Sequence, residues 1–132
     1  MSYRAAGAVQ AAVHAALAGH PDLAGVPVVD AVPTGGGTGT FVLIGPEEAR
    51  DASDATGAGV AHRVDVSVLS DAAGFLAAKA AAAAVCDAME GLSLPAPAGR
   101  VVGVAFQKAV ARRLEDGAVR RIDLAFRVRV DF

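Results

Sequence analysis

The sequence predicts an α+β domain, an antiparallel β-sheet of four to five strands with two α-helices packed on one face. Two observations carry that expectation. Alanine-rich stretches near the start and middle of the chain place larger apolar residues at helical spacing. The remaining apolar segments alternate with period two or are rich in β-branched residues, and the chain closes on two long strands joined by Glu115-Asp116-Gly117.

The first helix is expected from about Ser2 to Ala18. Val9, Val13 and Leu17 recur every four residues, Ser2 stands where a cap is needed, Gly19 where a left-handed C-terminal residue is common, and Pro21 blocks continuation. "VPVVDAV", Val26 to Val32, opens on a proline and is β-branched, which suits a short edge strand. A glycine-rich stretch follows, then the more apolar strand "TFVLIG".

"PEEARDASDATGAGVA", Pro46 to Ala61, is polar and has no period, so it is expected as a long loop or an extended hairpin tip. "HRVDVSVLS" restores alternation, with Val64, Val66 and Val68 on one face and Arg63, Asp65 and Ser67 on the other. The second helix runs through "SDAAGFLAAKAAAAAVCDAMEG". Ser70 or Asp71 is placed to cap it and Gly91 to close it, with Phe75, Ala82, Cys86 and Met89 on one side. Its alanines would allow close packing on a sheet.

In the final strand Ile122, Leu124, Phe126, Val128, Val130 and Phe132 share one face, and Arg121, Asp123, Arg127, Arg129 and Asp131 the other. A two-residue turn would set Phe106 beside Arg127 and mix apolar with charged residues. A three-residue loop, Glu115 to Gly117, instead pairs Phe106 with Phe126, Val104 with Val128 and Val110 with Ile122, with Gly117 left-handed.

The 132 residues suffice for one domain, 1–132, with its own core, and no disulfide or metal is needed to staple it. The single cysteine cannot form an intramolecular bridge, which fits a reducing compartment. Twelve basic against fourteen acidic side chains argue against a dedicated nucleic-acid binder. The alanine-rich N-terminus is interrupted by Gln10, His14 and His20, unlike a signal peptide, and "AAAAAVC" is too short to cross a bilayer. A soluble, unprocessed, intracellularly made protein is the expectation.

Catalytic constellations are not evident. "PTGGGTGTF" has the glycines of a phosphate loop but lies between two strands, lacks the lysine, and precedes no helix, so it reads as a connection. His14, His20 and His62 lack metal-ligand spacing, and His14 is expected beside the packing face of its helix. Cys86 sits in an apolar stripe and reads as a core residue. The carboxylates of "PEEARD" have no rigid, desolvated setting for acid–base work. No cofactor is expected.

The chain resembles the tail terminator, or tail completion, proteins of long-tailed phages, catalogued as the domain of unknown function DUF3168, and in particular the version carried by alphaproteobacterial gene transfer agents. The resemblance covers nearly the whole chain: "AVQAAVHAALAGHPDLAG", "VVDAVPTGGGTGTFVLIG", the closing hairpin and, most specifically, "HRVDVSVLSD" running into "AGFLAAKAAAAAVCDAM" and "LSLP". It departs at "TGGGTGTF", where relatives often have a proline-aromatic pair.

The resemblance implies a virion structural protein, not an enzyme. Its protomers form a hexameric ring that caps the tail tube and joins it to the head connector or stopper. The partners implied are further copies of itself, the major tail tube protein and the head-side connector, with DNA passing through without specific binding and no membrane. A ring of like subunits needs two different faces on each. Glu47, Glu48, Arg50, Asp51 and Asp54 after Gly45, and Arg121, Asp123, Arg127, Arg129 and Asp131 on the final strand, are the interface candidates. Another head-tail joining component is the nearest alternative, and a small ligand-binding domain or enzyme a more distant one.

Overall fold

The computed structural model describes residues 3–32, 39–55, 57–95 and 98–132. The order of elements is α1 (Ala6–Ala18), a 3₁₀ turn (Pro21–Leu23), β1 (Val28–Val29), β2 (Thr40–Asp51), β3 (Gly59–Ser70), α2 (Leu76–Glu90), β4 (Arg100–Leu114), a second 3₁₀ turn (Glu115–Gly117) and β5 (Val119–Asp131). The five strands form one sheet in the order β1-β2-β3-β5-β4. All pairings are antiparallel except β1 with β2, which is parallel, so the sheet is mixed.

Helices α1 and α2 lie on one face. Val9, Val13 and Leu17 are fully buried as the fourfold spacing requires, joined by Val85 and Met89 of α2 and by Val42, Val66, Val68 and Phe126 of the sheet. Each such side chain contributes roughly 1.5–3 kcal/mol by leaving water. Ala78, Ala81, Ala82 and Ala88 bring the α2 backbone close to the core, as their small size allows. Cys86 is half-buried against it.

The helix ends differ from expectation. Helix α1 starts at Ala6 behind Ala5 without a side-chain cap, and Ser2 lies outside the described residues. Gly19 and Gly91 close the two helices at φ −89° and −92°, neither of them left-handed. Ser70 remains the last residue of β3, where its Oγ accepts from the Ala72 N–H at 3.2 Å, and α2 begins six residues later without a side-chain cap. A half-buried Phe75 anchors that start instead. Lys79, Arg113 and Arg120 each approach its ring, at 5.7, 5.4 and 5.8 Å from the centroid, tying α2 to the far end of the β4–β5 hairpin.

The hairpin register agrees with the sequence at one end only. Phe106 faces Phe126 and Val104 faces Val128, but Val110 faces Asp123 and Ala111 faces Ile122. A bulge at Gln107 inserts one residue into β4, so pairs on the two sides of it follow different registers. Gly117 takes the left-handed conformation (φ +90°), and Glu115 and Asp116 do so too (φ +52° and +55°), because four residues span from Leu114 to its partner Val119.

The Pro46–Ala61 segment is an extended hairpin. Strands β2 and β3 stay paired to Asp51 and Val60, and Asp54 bridges to Gly57 at the tip. Pro46 falls at a bulge between Ile44 and Glu47, on a stretch of β2 that β1 does not reach, where a missing N–H is tolerated. Of the glycine-rich stretch, 33–38 lie outside the described residues, and Gly39 (φ +74°) leads directly into β2.

Candidate assembly surfaces

Both helices pack on one side, and no described helix packs on the opposite face of the sheet. Register assigns each charged side chain. Facing the helices are Glu47, Asp51, Arg113 and Arg120; facing outward are eight cations, Arg50, Arg63, Arg100, Lys108, Arg112, Arg121, Arg127 and Arg129, and four carboxylates, Glu48, Asp65, Asp123 and Asp131. The open face therefore carries a surplus of positive charge in a chain of net charge −2. One corner of it is not open: Phe41, Leu43 and Leu69 form a second buried apolar cluster there with Val29.

Each outward carboxylate is engaged by a cation two residues away on its own strand. Arg50 pairs with Glu48, Arg63 with Asp65 at 3.4 Å, Arg121 with Asp123 at 2.7 Å and Arg129 with Asp131 at 3.2 Å. Side chains two apart on a strand share a face, which is what this spacing requires. The Arg50 hydrogen bond, followed by its charge, holds the Glu48 carboxyl below its usual value.

Asp123 is the most connected of the four. It accepts from Ser67 Oγ at 2.6 Å and from Arg121, and Arg112 Nη2 lies 3.2 Å from its other oxygen. Partial burial works to raise its pKa, but the hydrogen bonds from Ser67 and Arg121 and the charges of Arg121 and Arg112 outweigh that and leave it lowered. Arg127 is exposed and, like Arg100 and Lys108, makes no ion pair among the described residues. It borders a shallow hollow of about 300 Å³ with Glu48, Arg50, Ala61, Arg63 and Gln107.

The β2–β3 tip is clamped to β5. Arg129 Nη2 lies 3.6 Å from Asp54, and Ser53 Oγ donates to Asp51 at 2.8 Å. Glu47 points the other way. It accepts from Tyr3 Oη at 3.0 Å, and its second oxygen lies 3.4 Å from Nδ1 of His62, which is completely buried. That hydrogen bond to a carboxylate raises the Tyr3 pKa. The candidates thus separate into three groups: Glu48, Arg50 and Arg127 around one hollow, Asp51, Asp54, Arg129 and Asp131 at the tip, and Arg121 with Asp123 in a network toward the other end. Glu47 joins none of them.

The sheet also has a free edge. Strand β4 is fifteen residues long, pairs on one side with β5 and, among the described residues, has no strand on the other. Val102, Phe106 and Val110 are 40%, 55% and 48% exposed along it, and Leu76 at the start of α2 is 85% exposed. Sequence reading missed this edge, because an apolar strand looks the same at a margin as in the middle.

Two smaller expectations changed. His14 is exposed, its Nε2 3.2 Å from the Val28 carbonyl oxygen, because it lies off the Val9–Val13 stripe. His20, Asp22 and Asp87 bring three ligand-type atoms within 4.8 Å of one another, but His20 Nδ1 already accepts from the Asp22 N–H. Burial, followed by the nearby charges of Asp87 and Glu90, raises the Cys86 thiol pKa, consistent with a packing residue.

The family model described as tail completion protein gp17 matches residues 5–131. The chain belongs to that family. Among solved structures it is similar to a chain of the virion of a native gene transfer agent particle, with 54% identity, a TM-score of 0.86, and coverage of 99% of this chain and 100% of that one. No curated protein matches. Family membership makes this a structural protein of a phage-type tail, located in the virion. No described helix is long and apolar enough to cross a membrane.

Proposed function

We propose that the chain is a non-enzymatic tail terminator, whose copies form a hexameric ring that caps the tail tube and meets the head-side connector. The observation that carries this reading is the β4 edge. A long strand with unpaired backbone groups and an exposed phenylalanine is a hazard for a solitary protein and a natural contact for a copy of itself. On the opposite side of the sheet, no described strand pairs with 45–51 of β2 beyond the reach of β1, which makes a second edge. Because β2, β3, β5 and β4 alternate in direction, β4 of one copy meets β2 of the next in antiparallel sense. Two different edges in contact make a head-to-tail interface, which closes into a ring when the rotation per subunit divides the circle.

In that ring the helices lie outside, the open face lines the channel through which DNA passes, and the β2–β3 tips project from one end. Glu48, Arg50, Asp51, Asp54, Arg129 and Asp131 then meet the neighbouring subunit or the tube protein. The tip is tested by replacing 52–58 with a two-residue turn, which spares the paired residues of β2 and β3. The monomer should stay folded while tails no longer join heads; normal particle yield from this variant would remove the tip from the contact.

The edge is tested by Phe106→Glu together with Val110→Lys. Tube growth should continue past its usual length in the presence of the double variant but stop in the presence of the parent protein. Capping by the double variant at parental levels would contradict the edge contact.

A further inference from the structure

We infer that the open face, centred on Arg127, is a weak and sequence-independent contact surface for the phosphate backbone of double-stranded DNA. The inference rests on the ring reading for how DNA reaches this face, but the charge pattern stands without it.

Three features carry it. The strands of this face carry eight cations against four carboxylates, with Asp54 of the β2–β3 tip a fifth carboxylate beside Arg129, although the whole chain is acidic by two charges. All four strand carboxylates are engaged by neighbouring arginines, so the surplus falls on cations without an ion partner among the described residues, chiefly Arg127 and Lys108. The floor around Arg127 mixes alanines with further arginine: Arg63 on β3 and Ala105 on β4 are its partners across the sheet, Ala61 on β3 lines the same hollow, and Ala125 precedes it by two positions on β5. Arg127 is exposed and shares the hollow with Arg50 and Arg63, so a backbone phosphate that reaches it meets three guanidinium groups.

The same floor argues against an acidic protein as the occupant. Protein interfaces are anchored by a buried apolar or aromatic centre with charge at the rim. Around Arg127 the arrangement is reversed, with arginines at the centre and alanines between them. Interfaces with DNA are more polar and more positive than those between proteins, and phosphate contacts position the duplex without reading its bases. The pairing of most arginines to aspartates keeps the contact weak, which suits a surface over which DNA must also move.

The test uses the purified full-length chain, a fluorescent 30-base-pair duplex of arbitrary sequence, and polyglutamate of similar charge as a second polyanion. Anisotropy is followed from low to physiological salt, with the assembly state measured in parallel by light scattering. Binding should be detectable at low salt, equal for unrelated duplexes, and lost as salt rises. Arg127→Ala with Lys108→Ala should lower the slope of log affinity against log salt by about 1 for each cation removed. As a control, Lys79→Ala on the helical side should leave the slope unchanged. Three results would overturn the proposal: no duplex binding at low salt, an unchanged slope in the double variant, or polyglutamate binding as tightly as DNA. A ring that ignores DNA removes this inference alone, whereas DNA binding by a chain that never assembles removes the ring and leaves the charged face.

Discussion

Asp123 shows how a surface carboxylate becomes structural. Three neighbours converge on it, Ser67, Arg121 and Arg112, from three adjacent strands. Its folded pKa is depressed, so its contribution to stability is fully present above the unfolded value near 4 and is lost as pH falls through the folded value. Asp123→Asn should therefore flatten the acid limb of a urea-unfolding series between pH 5 and pH 2.5, with little change in the slope above pH 5. An identical acid limb in the variant would show that the network does not discriminate between charged and neutral forms. Glu47 does the corresponding work on the other face, accepting from Tyr3 and lying beside the buried His62. Both ring nitrogens of the buried His62 lack a hydrogen-bond partner among the described residues, so Glu47→Ala removes a carboxylate 3.4 Å from Nδ1 as well as the acceptor of Tyr3, and should cost about 1–3 kcal/mol in urea unfolding. Tyr3→Phe removes one exposed hydrogen bond and should cost less than Glu47→Ala. The reverse order of the two would mean that His62 is held by packing alone.

At the scale of elements, the β4–β5 hairpin is where pattern and structure part. Strand β5 was legible because its apolar and charged residues alternate without interruption, and β3 for the same reason. Strand β4 has no such alternation, since "AFQKAV" places the bulge at a position that sequence cannot mark. Phe106 opposite Phe126 was therefore foreseeable from the aromatic match, and Val110 opposite Asp123 was not. The helix stripes were readable from spacing, but the caps were not, because Ser70 was taken up by the strand that precedes α2. The charge surplus of the open face needed the register of four strands at once, so no single segment revealed it. The entry to β4 offers a test of the edge itself. Gly99 has φ +129°, and an added Cβ would lie 2.8 Å from Val130 Cγ1 and 3.1 Å from the Asp131 carbonyl oxygen. Gly99→Ala should destabilise the fold by about 1–3 kcal/mol, with faster amide exchange confined to the first residues of β4 and the end of β5. Uniform acceleration across the sheet would show instead that β4 does not open on its own.

For the whole molecule, function falls to its surfaces. A two-layer domain buries its valine core between helices and sheet and leaves three features unspent: a charged open face, an extended hairpin tip and a fifteen-residue free edge. Membership of the tail completion family explains why a chain of this size carries so little inward-facing chemistry and so much outward-facing relief. Self-association along the sheet edge is the step on which the capping role depends, and the oligomeric state of the purified chain measures it directly. Native mass spectrometry, run from micromolar to tens of micromolar protein at physiological salt, should show a discrete species of six chains that Phe106→Glu with Val110→Lys reduces to single chains. A parent protein that stays monomeric throughout, or a hexamer unaffected by that double substitution, would contradict it.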